Sequence, residues 1–290
     1  EEIQMISNEL DLISTFGKPN LENYTDFFTA SNFLSYSVDL RLVRAANTLA
    51  AMNATSGDQG VLIKNRDDYE LNYIDLSGGG DLGMFAAKYP GSIGNSLKVS
   101  YFASNNSATY ATWDYHNEFN GVPSTSTFVG QQGGLHDEMH IIVIDVKGQF
   151  SNGRANTVIE KFPFVSKAVD AKNDDGSSNY YVNVLNERSK YVCVMNHAAN
   201  NTGWGLTAHG TEFAQADAYA TVQFTHGLDG TPTDGDITQA YDRFLNIDDV
   251  DVSLLLTGGH SQTVSQYVVD NIAEVRRDCV VFVSPLMSDV

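Results

Sequence analysis

A strand, a helix and a second strand packed into about 35 residues near the C-terminus constrain this chain more than any other feature. VDVSLLLTG, from Val250 to Gly258, is a short and nearly continuous apolar run, the pattern of a strand covered on both faces. A helix is predicted from about Gln262 to Arg277, with Ser261 as its cap, Val268, Ile272 and Val275 on one face, and Arg276 and Arg277 at its negative end. CVVFVS, from Cys279 to Ser284, then reads as another buried strand. A βαβ unit of this kind makes part of the sheet parallel, with a crossover that is right-handed in nearly all known cases.

The same alternation recurs elsewhere. Ile237, Ala240, Tyr241, Phe244 and Leu245 line one face of a helix for which Asp236 is the expected cap. Near the N-terminus Phe27, Ala30, Phe33 and Leu34 form another helical stripe, followed by a strand-like run from Asp39 to Ala45. The two chain ends are therefore expected to share one layered domain. In the middle, Met139–Phe150 and Arg154–Phe162 flank Ser-Asn-Gly and read as a β-hairpin. Residues 48–83 and 104–135 are rich in Gly, Ser, Thr and Asn without clear periodicity, and read as surface excursions or small inserts.

Charge narrows the partners. Lys and Arg number 17 against 36 Asp and Glu, a net charge of -19, which repels nucleic acid and anionic lipid alike. No apolar run is long enough to span a membrane, so neither nucleic acid nor membrane is an expected partner. Cys193 and Cys279 lie in apolar runs and read as two reduced core thiols.

Several patterns touch on chemistry and then fail it. His136 and His140 are four apart, but Asp137 stands where a zinc-protease helix needs Glu, and the segment runs into a strand pattern. Gly78, Gly80 and Gly83 have dinucleotide-loop spacing, yet the helix that should follow is interrupted by Pro90. Asn173, Asp175 and Gly176 match part of a calcium loop, but Ala171 and Val182 occupy its carboxylate positions. Ser261, between a strand and a helix with His260 beside it, is placed like a hydrolase nucleophile but lacks the second glycine, Thr263 standing there instead. No catalytic, cofactor-binding or metal-ligating residue is expected, and no cofactor. Two other classes stay open: a serine hydrolase of α/β type built on Ser261 and His260, and a surface- or carbohydrate-binding module using the aromatic excursion Tyr101–Tyr115 and the region of Trp204.

Five separated blocks carry a family likeness. These are NELDLISTFGKPN (Asn8–Asn20), NFLSYSVDLRLVRAAN (Asn32–Asn47), AAKYPGSIGNSLKVSY (Ala86–Tyr101), Val158–Val192 and DNIAEVRRDCVVFVSP (Asp270–Pro285). In this order they resemble the tail sheath proteins of contractile-tailed phages, those of T4-like and cyanophage type most closely. The resemblance implies a mixed α/β (α+β) fold: a layered domain with a mixed sheet including the βαβ unit, helices on its faces, and β-rich surface insertions. Residues 1–47 and 84–290 would be the shared sheath core domain, and 48–83 a reduced insertion, the stub of a variable outer domain. It implies a structural role in the virion, with assembly in the host cytoplasm. The implied partners are other sheath subunits in hexameric rings, the tail tube protein, the baseplate and the tail terminator. Relatives carry an N-terminal extension and a C-terminal domain whose strands link neighbours, so this chain reads as a core fragment and is expected to be monomeric. Arg41, Arg44, Lys161, Lys167, Arg188, Lys190, Arg276 and Arg277 are the cations expected at subunit contacts.

Overall fold

The computed structural model describes residues 2–21, 23–74, 81–198, 201–216 and 218–285. In chain order its strands are β1 (Gln4–Ile6), β2 (Leu40–Leu42), β3 (Phe85–Ala87), β4 (Leu97–Phe102), β5 (Glu138–Asp145), β6 (Thr157–Ser166), β7 (Val192–Val194), β8 (Ala220–Gln223), β9 (Leu254–Leu256) and β10 (Val280–Phe282). The mixed α and β class expected from sequence is what the chain adopts, with these strands spread over four small sheets. The chain divides into two compact units: residues 1–51 with 229–290, and residues 52–228.

In the first unit both chain ends meet. β1 pairs antiparallel with β2, and helices Glu9–Phe16 and Tyr24–Leu34 bury Leu12, Phe27 and Ala30 against Ile6 and Leu40. The C-terminal part is the predicted βαβ unit: β9 and β10 are parallel, Val280 opposite Leu254, and the helix between them starts at Gln262. Ser261 caps it as expected, its hydroxyl accepting from the Val264 amide at 3.3 Å. Residues 268–273 widen into a π-helical turn before the helix ends at Arg276. Ahead of β9, Thr233 is the cap of Asp234–Tyr241, and Asp236 sits one turn inside, accepting from the Thr233 amide at 2.8 Å in a capping box. Asp236 thus assists the cap from within the helix.

The second unit is built on the antiparallel sheet β6-β5-β4-β8. Along β5 the period of two sends Met139, Ile141 and Val143 into the main core and Ile142 and Ile144 into a separate cluster with Phe102, Tyr110 and Trp113. That double burial explains the unbroken apolar run. Helix Tyr181–Arg188 contributes Tyr181, Val184 and Leu185 to the main core, while the excursion 104–135 supplies the second cluster. The β5–β6 hairpin turns through a longer loop than Ser-Asn-Gly, and β5 stops at Asp145. The buried Asp145 carboxylate organises that loop, accepting from Ser96 Oγ, the Ser151 hydroxyl, and the amides of Gln149, Phe150 and Ser151 at 2.6–3.1 Å. Burial alone would raise its pKa; these hydrogen bonds outweigh it and hold the carboxyl below the ordinary aspartate value.

The described part of 48–83 is exposed at many positions, yet it also runs through the interior of the fold. Asn53, Ala54 and Thr55 are fully buried, and the Asn53 side chain donates to Ala87 O and accepts from the Ile63 amide, both at 2.9 Å. Tyr69, from helix Arg66–Asn72, covers the β3–β7 pair and donates to Val194 O. Composition misled here because the polar side chains bind backbone inside the fold, where water is excluded.

Candidate assembly surface

The histidine pair that hinted at a metal site is used to hold the second unit together. His140 sits on β5 where two residues of β6 oppose one, between the pairs Met139–Val165 and Ile141–Phe162. Phe164, at this bulge, has φ 52°, and its backbone is turned out of the ladder. Its amide donates to His140 Nδ1 at 3.1 Å, and its carbonyl accepts from Asn179 Nδ2 at 2.9 Å. The other ring nitrogen, Nε2, lies 2.8 Å from Gly121 O and must be its donor, so the imidazole is neutral with both nitrogens engaged. Phe119 stacks on the ring at 4.2 Å, and burial lowers the imidazole pKa to about 4. His136 precedes the strand at φ 63°, so the helical pairing of the two histidines is not formed.

Lys167, expected at a contact, is fully buried. Its ammonium donates to the carbonyls of His136 (2.8 Å), Ala103 (3.2 Å) and Ala214 (3.2 Å) and lies 5.3 Å above the Trp204 ring. Burial pushes its pKa down to about 7, with Asp137 opposing the shift. Three carbonyls match the three N–H groups of the charged form, which prevails below about pH 7 and is lost above it. Asp137 is itself buried and accepts from Ser126 and from the Ser166 hydroxyl.

The residues behind the enzymatic and glycan-binding alternatives also make structural contacts. Ser261 Oγ, besides capping its helix, donates to Asp234 Oδ2 at 2.7 Å, and His260 faces Asp26 at 3.8 Å. No histidine is hydrogen-bonded to Ser261 among the described residues. Trp113 and Trp204 are buried, their indole N–H groups donating to Ser100 Oγ and Ala214 O, so neither offers a ring face as a platform. Asp175 closes its own turn by accepting from Ser177 N and Oγ. Gly78 and Gly80 lie outside the described residues. Gly83, at φ 71°, permits a close approach in which an added Cβ would sit 2.6 Å from Gly57 N.

What the first unit presents is different. Of 23 exposed large apolar side chains among the described residues, 15 belong to it, although it is the smaller unit. Two groups stand out. On helix Tyr24–Leu34, Tyr24 and Phe28 are four apart and face outward while Phe27 and Ala30 face the core. On the β9–β10 pair, Leu255 is buried, and Leu254, Val280 and Phe282 are exposed, Phe282 at 55%. The apolar run from Val250 was expected to be covered on both faces. The pair is only two strands wide, and within the first unit only one face is packed; the other carries its apolar residues into solvent.

The expected contact cations divide accordingly. Arg276 is buried, donating to Phe244 O (2.5 Å) and Val250 O (3.0 Å) and clamping Asp278 with two bonds of 2.9 Å, so it is an internal strut. Arg41 pairs with Asp39 at 2.8 Å and Lys161 with Glu118 at 2.6 Å. Arg188, Lys190 and Arg277 are exposed. Arg277 holds φ 63° at the helix end, a left-handed position that glycine usually fills. Cys193 is buried with its thiol pushed up to about 12, and Cys279 is half-buried.

The chain resembles phage tail sheath proteins. It is 29% identical to the tail sheath protein of Salmonella phage ViI over 150 residues, 52% of this chain and 21% of that protein. Shorter stretches are 44% identical to the tail sheath protein of Enterobacteria phage T4 over 54 residues, 19% of this chain, and 47% identical to that of Vibrio phage KVP40 over 53 residues, 18% of this chain. Each of these two matches spans 8% of the relative, so the chain matches between 8% and 21% of the length of these proteins. A solved sheath tail protein from Listeria innocua overlays 96% of this chain and 42% of its own, with a TM-score of 0.45 and 12% identity, too loose a likeness to argue from. No protein-family model matches.

Proposed function

We propose that this chain belongs to a structural subunit of a contractile phage tail sheath, which polymerises around the tail tube and contracts to drive it through the host envelope. The observation that carries this reading is the similarity to three tail sheath proteins, at 44% and 47% identity over the stretches shared with two of them. The exposed apolar side chains of the first unit support it, because such side chains are what a protein–protein contact buries. Contraction, in physical terms, exchanges one set of subunit contacts for a better-matched set, a two-state change that needs no catalytic group. On this reading the partners are further sheath subunits in hexameric rings, the tube, the baseplate and the tail terminator; the setting is the virion, after assembly in the host cytoplasm. Residues 1–47 and 84–290 are then the part shared with other sheaths, and 48–83 the reduced insertion.

Electron microscopy of the full-length product, expressed alone, tests the proposal. Long striated tubes are expected, and they are expected to be lost on Phe28→Asp or Phe282→Asp, which alter exposed positions and spare the fold. Ser261→Ala is expected to cost about 1 kcal/mol of helix capping and leave tubes intact. Discrete monomers at high concentration across a range of salt would sink the reading.

A further inference from the structure

An open cleft of about 340 Å³ lies beside the β5–β6 bulge in the second unit, lined among others by Glu138, Phe128, Phe164, Gln131, Lys172 and Asp174. We infer that this cleft is a receptor for a guanidinium or ammonium group, the head of an arginine or lysine side chain. The inference stands apart from the sheath reading.

Glu138 is the centre of the argument. Its Oε2 accepts from the Ser124 amide at 2.9 Å, and among the described residues no cation lies within 4.0 Å of it. Burial raises its pKa, with the neighbouring Asp137 adding to the rise and the Ser124 amide opposing it, so the carboxylate at the cleft is partly desolvated and is answered by one amide and by no cation. Asp174 adds a second carboxylate at the same cleft, against the one cation Lys172, so an anionic ligand is disfavoured and a neutral polyol would leave Glu138 unanswered. Phe128 and Phe164 are half-buried and supply rings over which a planar guanidinium stacks. The Gln131 side chain offers an amide oxygen for a remaining N–H.

Titration of the ¹⁵N-labelled chain with N-acetyl-arginine amide, methylguanidinium and N-acetyl-norleucine amide decides the matter. Saturable shifts at the Ser124 and Phe164 amides are expected with the two cations and absent with norleucine. Stronger binding of the arginine amide than of methylguanidinium names a protein side chain as the source of the group; equal binding names a free cation. Glu138→Gln keeps an acceptor for Ser124, preserving the fold, and is expected to weaken binding about tenfold or more. Lys172→Met is expected to bind no more weakly than the unaltered chain. Norleucine amide shifting the same peaks equally, or Glu138→Gln binding as tightly as before, overturns the inference.

Discussion

Replacing His140 by leucine separates a buried neutral imidazole from an ordinary pH effect. At neutral pH the change strips the Phe164 amide and the Gly121 carbonyl of their partners, two part-buried backbone groups worth about 1 kcal/mol each. Acid then acts on the unaltered protein alone. The imidazole ionises at about 4 in the folded state against 6.5 ordinarily, so the unfolded chain takes up its proton first as pH falls. Stability is therefore lost between pH 6.5 and 4 and levels off below, by roughly 3 kcal/mol at 1.36 kcal/mol per unit of pKa. The stability gap between wild type and His140→Leu should shrink by that amount over the same window. Urea unfolding followed by tryptophan fluorescence reads it, because both tryptophans, Trp113 and Trp204, lie in the second unit. Other titrating groups are common to both proteins and cancel in the difference. A gap that stays constant to within about 0.5 kcal/mol from pH 7.5 to 4 would refute a neutral, hydrogen-bonded His140 and the bulge it supports.

Lys167→Met should show the opposite dependence. A lysine with its folded pKa depressed to about 7 from 10.5 lets wild-type stability rise with pH through that interval. The advantage of wild type over the methionine variant should therefore grow, by roughly 3 kcal/mol between pH 7 and about 9.5 in the same fluorescence assay, and a flat difference would show the ammonium to be unperturbed. Arg276→Met removes the internal strut of the first unit and is expected to cost about 3–5 kcal/mol, since it leaves Phe244 O, Val250 O and Asp278 without their donor. Hydrogen exchange should then speed up at Leu254–Leu256 and Val280–Phe282 while the tryptophan-monitored transition of the second unit stays put.

The sequence made local structure legible where one element's own periodicity decided it. Ser261 and the helix behind it, the parallel β9–β10 pair, and the β5–β6 hairpin were readable because the deciding residues lie within a few turns of each other. What escaped was decided at a distance. β3 and β7 pair residues more than a hundred positions apart, Phe85 with Val194, and no local pattern announces that. Trp113, which reads as a binding aromatic in a polar excursion, belongs inside because Phe102 and Ile142 arrive from other strands to surround it. Lys167 and Arg276 read as contact cations because charge is ordinarily at the surface, and only the fold supplies the carbonyls that draw them in. Within the candidate surface, the apolar composition of β9 and β10 was plain, while which face lacked a cover was not.

The two units solve the polar-group problem differently, and that difference bears on the proposed role. In the second unit Asp137, Asp145, His140 and Lys167 are buried and answered by backbone or hydroxyl groups, a network that fixes one conformation and leaves comparatively few apolar side chains outside. The first unit has smaller clusters, two two-stranded sheets, and most of the exposed apolar residues among the described ones. It also carries 18 acidic residues against 6 basic ones, so copies meeting through it repel unless salt screens them or a basic surface faces them. Apolar burial acts at contact and charge acts over about 10 Å, so the balance between them is set by ionic strength. Association through this unit should accordingly strengthen as salt rises, the reverse of what a contact held by opposite charges would do.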